Sequence, residues 1–401
     1  MVQKDISKFF KDYLNKKSLF IDKKALQNNY TPETIPHRDE QIEQLAGILA
    51  PSLRMQKPSN VFIYGKTGTG KTCVSQYVIN QIERISKEKK LNIKSYYLNC
   101  KLKKVADTEY RLIAQMARGF GGDVPATGLP TDEVYKIFIK IIDNKKQLII
   151  LVLDEIDQIV NKTGDGILYN LTRLNPELKN CEICILGISN DLMFTENLDP
   201  RVRSSLGEEE LVFPPYNALQ LQDILKQRSN IAFKENIIEE GVIEKCAAYA
   251  AREHGDARRA LELLRVAGEL SERENSDKIK IEHIDLAEEK IERDRVVDIL
   301  KTQPKQIQVV LHSILNVCND NKRVFTGDVF ELYQKYCLKV GLKNLTQRRV
   351  SDIVAELDML GIINAKVVSK GRYGRTREIG LAISSSNLSN VKKMLKEGLG
   401  L

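Results

Sequence analysis

The stretch Gly65-Lys66-Thr67-Gly68-Thr69-Gly70-Lys71-Thr72 follows a short apolar run, Val61-Phe62-Ile63-Tyr64, and opens into a helical pattern over 73–85. Strand, glycine-rich loop and helix stand in succession, and the octad fits G-x-x-x-x-G-K-[ST], the phosphate-binding P-loop pattern. The residue types suit that chemistry. Gly65, Gly68, Thr69 and Gly70 let backbone N–H groups close around phosphate oxygens, and the positive end of the following helix adds to them. Lys71 has the reach for β- and γ-phosphates, and the Thr72 hydroxyl suits Mg²⁺. Eight matching positions can arise by chance. The strand before them and the helix after them supply the required context.

Residues 147–153, Gln-Leu-Ile-Ile-Leu-Val-Leu, form a continuous apolar run of the kind parallel sheets bury on both faces. The run ends in Asp154-Glu155-Ile156-Asp157. A carboxylate at the C-terminal end of a strand, expected beside the P-loop strand, is where a Mg²⁺-holding Asp154 belongs. Glu155 is then the candidate to accept a proton from attacking water. Without the P-loop upstream, a solvated acidic turn after a core strand would be the plainer reading.

A chain of 401 residues, 42% hydrophobic and 29% charged, has room for two or three domains with their own cores. No apolar run approaches the ~20 residues of a membrane span, and residues 1–24 show no signal-peptide core, so no membrane partner and an intracellular protein are expected. The seven cysteines are scattered. Cys181 and Cys184 form a C-x-x-C within a strand pattern, where positions three apart face opposite sides, so buried thiols are expected rather than a metal site. Net charge is +8, and its distribution says more than its size. Residues 301–401 carry 17 Lys and Arg against 8 Asp and Glu, or +9, and the remainder carries −1. A basic segment attached to a neutral nucleotide-binding domain points to a polyanion partner.

Along the chain, residues 1–36 are polar, with Phe9, Phe10, Tyr13 and Leu14 on one face of a possible short helix. A proline-stiffened stretch leads into a helix over 38–50. Strands are expected at 91–99 and 181–188, helices at 107–118 and 131–143, the latter with Thr131 as N-cap. Residues 119–130 are loop by composition. The alternation specifies an α/β domain with a largely parallel sheet. Beyond Pro214-Pro215, residues 217–229, 239–252, 256–273 and 282–300 have helical periodicity. From 301, three helices (307–317, 327–337, 346–360) precede two strands, 362–368 and 378–383, which flank a Gly-rich basic tip over 369–377. Three helices and a hairpin make a winged helix. The expected organisation is an extension over 1–29, an α/β P-loop domain over 30–215, a helical lid over 216–300 and an α+β winged-helix domain over 301–401.

These motifs in this order resemble the AAA+ ATPases, and among them the archaeal replication initiators related to the origin recognition complex and the cell-division-cycle helicase loader. The resemblance implies ATP or ADP with Mg²⁺ as cofactors. Lys71 and Thr72 then match the Walker A pair, and Asp154 and Glu155 the Walker B pair. Asn190 matches sensor 1, which orients the attacking water; Arg258 matches sensor 2, which reaches the γ-phosphate from the lid. Arg201 matches the arginine finger given to a neighbouring protomer, with Arg203 as the alternative. Tyr216 and Arg228 match lid positions that line the nucleotide, and His37 and Arg38 fall in the adenine-side strip. Four of these have a plainer alternative: a packing or hydrogen-bonding role for His37, a turn cap for Asn190, a surface position for Arg258, a pair with Glu208 or Glu209 for Arg201.

In the winged helix, Gln347, Arg348, Arg349 and Ser351 open the recognition helix, where Arg suits guanine and Gln suits adenine. Lys370, Arg372, Tyr373, Arg375 and Arg377 form the wing. The family also contacts DNA through an insertion in its ATPase domain, for which 119–140 is the candidate, with Pro125 to Leu129 as its tip. The implied function is an initiator that binds double-stranded origin DNA, distorts it and meets the replicative helicase and other initiator protomers, in the cytoplasm at the nucleoid. A helicase or clamp loader without sequence preference and a nucleotide-switched transcription regulator share the same layout.

Overall fold

In chain order the first elements are α1 (Asp39–Leu49), β1 (Val61–Gly65), α2 (Lys71–Glu88), β2 (Ile93–Asn99), α3 (Glu109–Gly119), α4 (Thr131–Ile142) and β3 (Gln147–Asp154). There follow α5 (Ile156–Thr163), α6 (Gly166–Thr172), β4 (Cys181–Ser189), α7 (Pro200–Leu206) and β5 (Glu209–Phe213). The computed structural model describes residues 18–27, 30–101, 108–125, 128–318, 324–369, 375–382 and 385–401. The five strands form one parallel sheet in the order β2-β3-β4-β1-β5.

All eight residues of β3 are buried, because both faces of the sheet are covered. Ile149, Leu151 and Leu153 pack with Leu112, Phe138 and Ile159 from α3, α4 and α5. Leu148, Ile150 and Val152 pack on the other side with Leu45 and Leu49 of α1 and Val74 and Val78 of α2. Cys181 and Cys184 fall in opposite layers, as a two-residue strand period requires. The strand bearing Asp154 is not beside the P-loop strand, contrary to the expectation above: β4 lies between β3 and β1. That order brings the end of β4, and hence Asn190, between the two.

Helix α4 begins at Thr131 itself, with Pro130 in the cap position and no side-chain cap bond, so Thr131 is not the N-cap. The proline has no N–H and its fixed φ ends the loop. Within the 119–140 segment, Val134 and Phe138 of α4 are core residues. Its expected tip, Pro125 to Leu129, includes residues 126 and 127, which lie outside the described residues.

The helical part of the same compact unit holds α8 (Ala218–Ala232), α9 (Val242–Arg252), α10 (Ala257–Arg273) and the start of α11 (Ile281–Thr302). Asn217 and Gln220 form a reciprocal capping box on α8. Residues 18–27 dock on these helices: the Phe20 ring lies 4.6 Å from that of Phe233, the Ser18 hydroxyl donates to Glu272 at 2.7 Å, and Lys23 pairs with Glu269 at 2.8 Å. Phe9, Phe10, Tyr13 and Leu14 lie outside the described residues.

The second unit, residues 285–401, continues from α11 into α12 (Lys305–Val317), β6 (Val324–Phe325), α13 (Thr326–Val340), α14 (Gln347–Met359), β7 (Ile363–Ser369), β8 (Arg375–Leu381) and α15 (Ser385–Leu399). Its sheet is antiparallel, in the order β6-β8-β7. The hairpin read from sequence is therefore joined by a third strand of two residues. Helix α15 buries Val391, Leu395 and Leu399 in a core shared with α12, α13 and α14. Arg375, Thr376 and Arg377 belong to β8 and not to the tip, and Lys370, Arg372 and Tyr373 lie outside the described residues.

Candidate functional site: a nucleotide cleft and a basic groove

Gly68 and Gly70 have φ of 69° and 92°, values that non-glycine residues adopt at a cost. Both also admit a close neighbour. A Cβ on Gly68 would stand 1.6 Å from an Asp256 carboxylate oxygen, and one on Gly70 would stand 2.9 Å from the Tyr216 hydroxyl. The loop is thus closed over by the lid, and the Ala257 N–H donates to the Gly68 carbonyl at 3.2 Å. Asp256 caps α10 by accepting from the Arg258 N–H and Arg259 N–H. This cap turns the start of α10, with Arg258, toward the P-loop.

Lys71 is 5% exposed and its ammonium donates to the carbonyls of Gly65 at 2.8 Å and Lys66 at 2.7 Å. Burial pushes its pKa down to about 8; Asp154 opposes that shift and Arg258 adds to it. A buried cation held only by neutral carbonyls is poised for an anion. The Thr69 hydroxyl donates back to the Lys66 carbonyl at 2.8 Å, which stiffens the turn.

Thr72 donates to one carboxylate oxygen of Asp154 at 2.9 Å, and the hydroxyl of Tyr97 donates to the same oxygen. The Glu155 N–H donates to the other at 2.9 Å. Glu155 has φ 53°, the left-handed region, and its carboxylate pairs with Lys101 at 3.4 Å. Asp157 is buried and accepts from the Ser189 hydroxyl at 3.0 Å and the Asn190 N–H at 3.4 Å. One carboxylate and one hydroxyl, both hard oxygen donors, fit a Mg²⁺ whose remaining ligands are phosphate and water. Among the described residues, no group of three or more His, Cys, Asp or Glu is arranged to hold a metal without such help.

A cavity of about 280 Å³ runs from Gly68, Gly70, Thr72 and Arg258 to Tyr30, Pro32, Ile35, Pro36, Tyr216 and Arg228. Arg228 is buried, its guanidinium stacks on Tyr30 at 4.3 Å, and one of its terminal nitrogens has no hydrogen-bond partner among the described residues. Arg38 and His37 are not among the lining residues. Arg38, 2% exposed, braces the loop from behind: it donates to the carbonyls of Thr69 at 2.9 Å and Pro214 at 2.6 Å and stacks on Tyr216 at 3.8 Å. His37 is exposed and meets Asp223 at 2.9 Å. Arg201 also lies apart from the cavity, on α7. It pairs with Asp199 at 3.0 Å and stacks on Tyr169, not with Glu208 or Glu209.

In the second unit, Gln347, Arg348, Ser351 and Arg377 line one groove with Thr326, Asp352, Val367 and Thr376. Thr346 caps α14, and Val350, Ile353, Val354 and Leu357 turn its apolar face to the core, so Gln347, Arg348 and Ser351 are left on the other. Arg349 is not among the groove residues; it lies 4.0 Å from Asp352.

Three segments match known families: residues 54–190 an AAA domain, 222–289 the Cdc6 AAA+ ATPase-type lid domain, and 298–391 the CDC6 C-terminal winged helix domain. The chain is 52% identical over 391 residues to the ORC1-type DNA replication protein 1 of Methanosarcina mazei, covering 97% of this chain and 93% of that one. It belongs to the ORC1-type DNA replication protein family. A Pyrococcus furiosus ORC1-type protein is 51% identical over 96% of this chain and 92% of its own length. Among solved structures, Aeropyrum pernix ORC1 in complex with DNA superposes with a TM-score of 0.86 at 43% identity, covering 95% of this chain and 98% of that one. As an ORC1-type chain it has an AAA+ ATPase domain, a nucleotide cleft and a winged-helix domain. Among the described residues, no helix is long and apolar enough to cross a membrane.

The sequence reading missed Tyr97, Lys101, Asp157 and Asp256 as parts of the site. Tyr97 had a signal, since it alternates with Leu98 in the strand next to the Asp154 strand. Asp157 and Asp256 lie three residues after Asp154 and two before Arg258, within the motifs themselves, whereas Lys101 is brought to Glu155 by the pairing of β2 with β3, which the local sequence does not display.

Proposed function

We propose that this protein is an ATP-dependent initiator of DNA replication. It binds double-stranded origin DNA through the winged-helix groove and the basic wing, with further contacts from the ATPase domain, distorts the duplex and helps recruit the replicative helicase. The observation that carries the reading is a groove with Gln347, Arg348, Ser351 and Arg377 on a segment of charge +9, in a chain about half identical to ORC1-type replication proteins. The Aeropyrum pernix relative solved with DNA supports it. Cationic contacts release counterions from the duplex, so affinity falls steeply with salt.

On this reading ATP acts as a switch between lid and base, with slow turnover. Lys71 and the loop N–H groups hold the phosphates, and Arg258 reports the γ-phosphate to the lid. Thr72 and Asp154 hold Mg²⁺, which when bound neutralises charge on the phosphate oxygens. Asn190 orients the water and Glu155 accepts its proton. Arg201 serves the ATP of a neighbouring protomer. The functional segments are 1–29, 30–215, 216–300 and 301–401, and the protein works in the cytoplasm at the nucleoid.

The test is to shear the source organism's DNA, incubate it with ATP-loaded protein at near-physiological salt, and sequence what is retained. A few sharp sites beside a replication start support the initiator. Scattered promoter sites replace it with a transcription regulator, and uniform recovery with a loader that has no sequence preference.

A further inference from the structure

Tyr97 lies on the edge strand of the sheet, opposite Val152 in register, two residues before the level of Asp154. Two residues along a strand are about 6.6 Å, which a tyrosine side chain spans. Leu98 faces the α3 and α4 layer, so Tyr97 takes the α2 side, where Thr72 begins its helix. Its hydroxyl ends on the Asp154 oxygen that also accepts from Thr72. Tyr97 thus bridges a third element to the pair of residues offered to Mg²⁺.

A carboxylate offers about four lone-pair directions. In Asp154 three are taken, by Tyr97, Thr72 and the Glu155 N–H, and one is left. Without Tyr97, one donor on each oxygen remains, and the group turns more freely about its last bond. Tyr97 is 38% exposed, and its hydroxyl is its polar anchor.

We infer that Tyr97 is a positioning residue for Mg²⁺: it fixes the Asp154 carboxylate so that its open direction meets the ion or an ion-bound water. This rests on the reading of Thr72 and Asp154 as the metal-holding pair. Partners of this kind, which hold a ligand without touching the metal, typically change metal affinity 10–100-fold when removed. Since Thr72 and the Glu155 N–H still hold Asp154 in Y97F, the expected change is near the lower end, roughly tenfold.

The experiment uses full-length wild type and Tyr97→Phe, with thermal melts to confirm that both fold. ADP binding is measured calorimetrically in EDTA and then across a Mg²⁺ titration. Expected is unchanged ADP affinity in EDTA, with the Mg²⁺ concentration for half-maximal effect about tenfold higher in Y97F. Loss of ADP affinity in EDTA as well would make Tyr97 a structural support of the loop and overturn the inference. An unchanged Mg²⁺ midpoint overturns it too. A lower midpoint would make the hydroxyl a competitor of the ion, the opposite role. If wild type itself shows no Mg²⁺ dependence, the metal-holding pair fails and Tyr97 with it; dependence in wild type with no change in Y97F removes Tyr97 alone.

Discussion

Replacing Lys71 with methionine is expected to stabilise the nucleotide-free protein at neutral pH while abolishing nucleotide binding. Burial lowers the ammonium from its ordinary 10.5 to about 8. That drop corresponds to roughly 3 kcal/mol against the charged form in the folded state. Below about pH 8 the group is charged in folded and unfolded chains alike, so the penalty is present in full. Between about 8 and 10.5 the unfolded chain binds more protons, and folded stability rises with pH. Methionine fills the channel without charge but forgoes the bonds to the Gly65 and Lys66 carbonyls. At about 0.5–1.5 kcal/mol for each bond forgone, the net gain at pH 7 is about 0–2 kcal/mol, or up to about 4 °C in melting temperature. Scanning calorimetry of nucleotide-stripped wild type and K71M at pH 7 and pH 10 reads it directly. K71M should melt higher at pH 7, and the gap should narrow by pH 10 as wild type sheds its proton. ADP should raise the melting temperature of wild type only. A K71M protein that melts below wild type at pH 7, or a gap indifferent to pH, refutes the reasoning.

Glu155→Gln should retain ATP and DNA binding but lose turnover by about 10²–10⁴-fold, the usual worth of a positioned base; single-turnover hydrolysis with labelled ATP measures it, and undiminished hydrolysis removes Glu155 from that role. Arg38→Ala, although its side chain does not line the cavity, should weaken ADP binding about tenfold or more by freeing the Thr69 carbonyl, as measured by calorimetry; unchanged affinity would show that the brace is dispensable. Arg348→Ala should cost about 1–3 kcal/mol of DNA binding and relax specificity at one position, whereas Arg377→Ala should lower the salt slope by about 1. Fluorescence anisotropy with an operator-length duplex at several salt concentrations separates the two effects.

Much of this was legible because the decisive signals are local. The P-loop octad needs only its own strand and helix, and the 147–153 run announces a doubly covered strand by composition alone. Lateral strand order is not local. Nothing in the sequence of β4 says that it inserts between β1 and β3, and so the strand bearing Asp154 was expected one place too near, although Asp154 still meets Thr72. The two residues of β6 are too few for any alternation. Arg38 and His37 are neighbours in sequence with different fates, because a positive φ at His37 turns one side chain out to Asp223 while the next goes in beneath the loop. Arg201 found its partner two residues away, in the cap of its own short helix, before any more distant acid could compete.

The chain passes between the lid and the base twice. Residues 18–27 ride on the lid helices, and Tyr30 stays with them through Arg228, yet Ile35 is already in the base core. The return crossing is at Pro214-Pro215, between β5 of the base and α8 of the lid. A plate fastened at one point can swivel in any direction; fastened at two, it turns about the line that joins them. Here the first crossing lines the cavity from Tyr30 to Pro36 and the second ends beside it at Tyr216, so the cavity wall and the axle on which Arg258 would swing are built from the same short stretches.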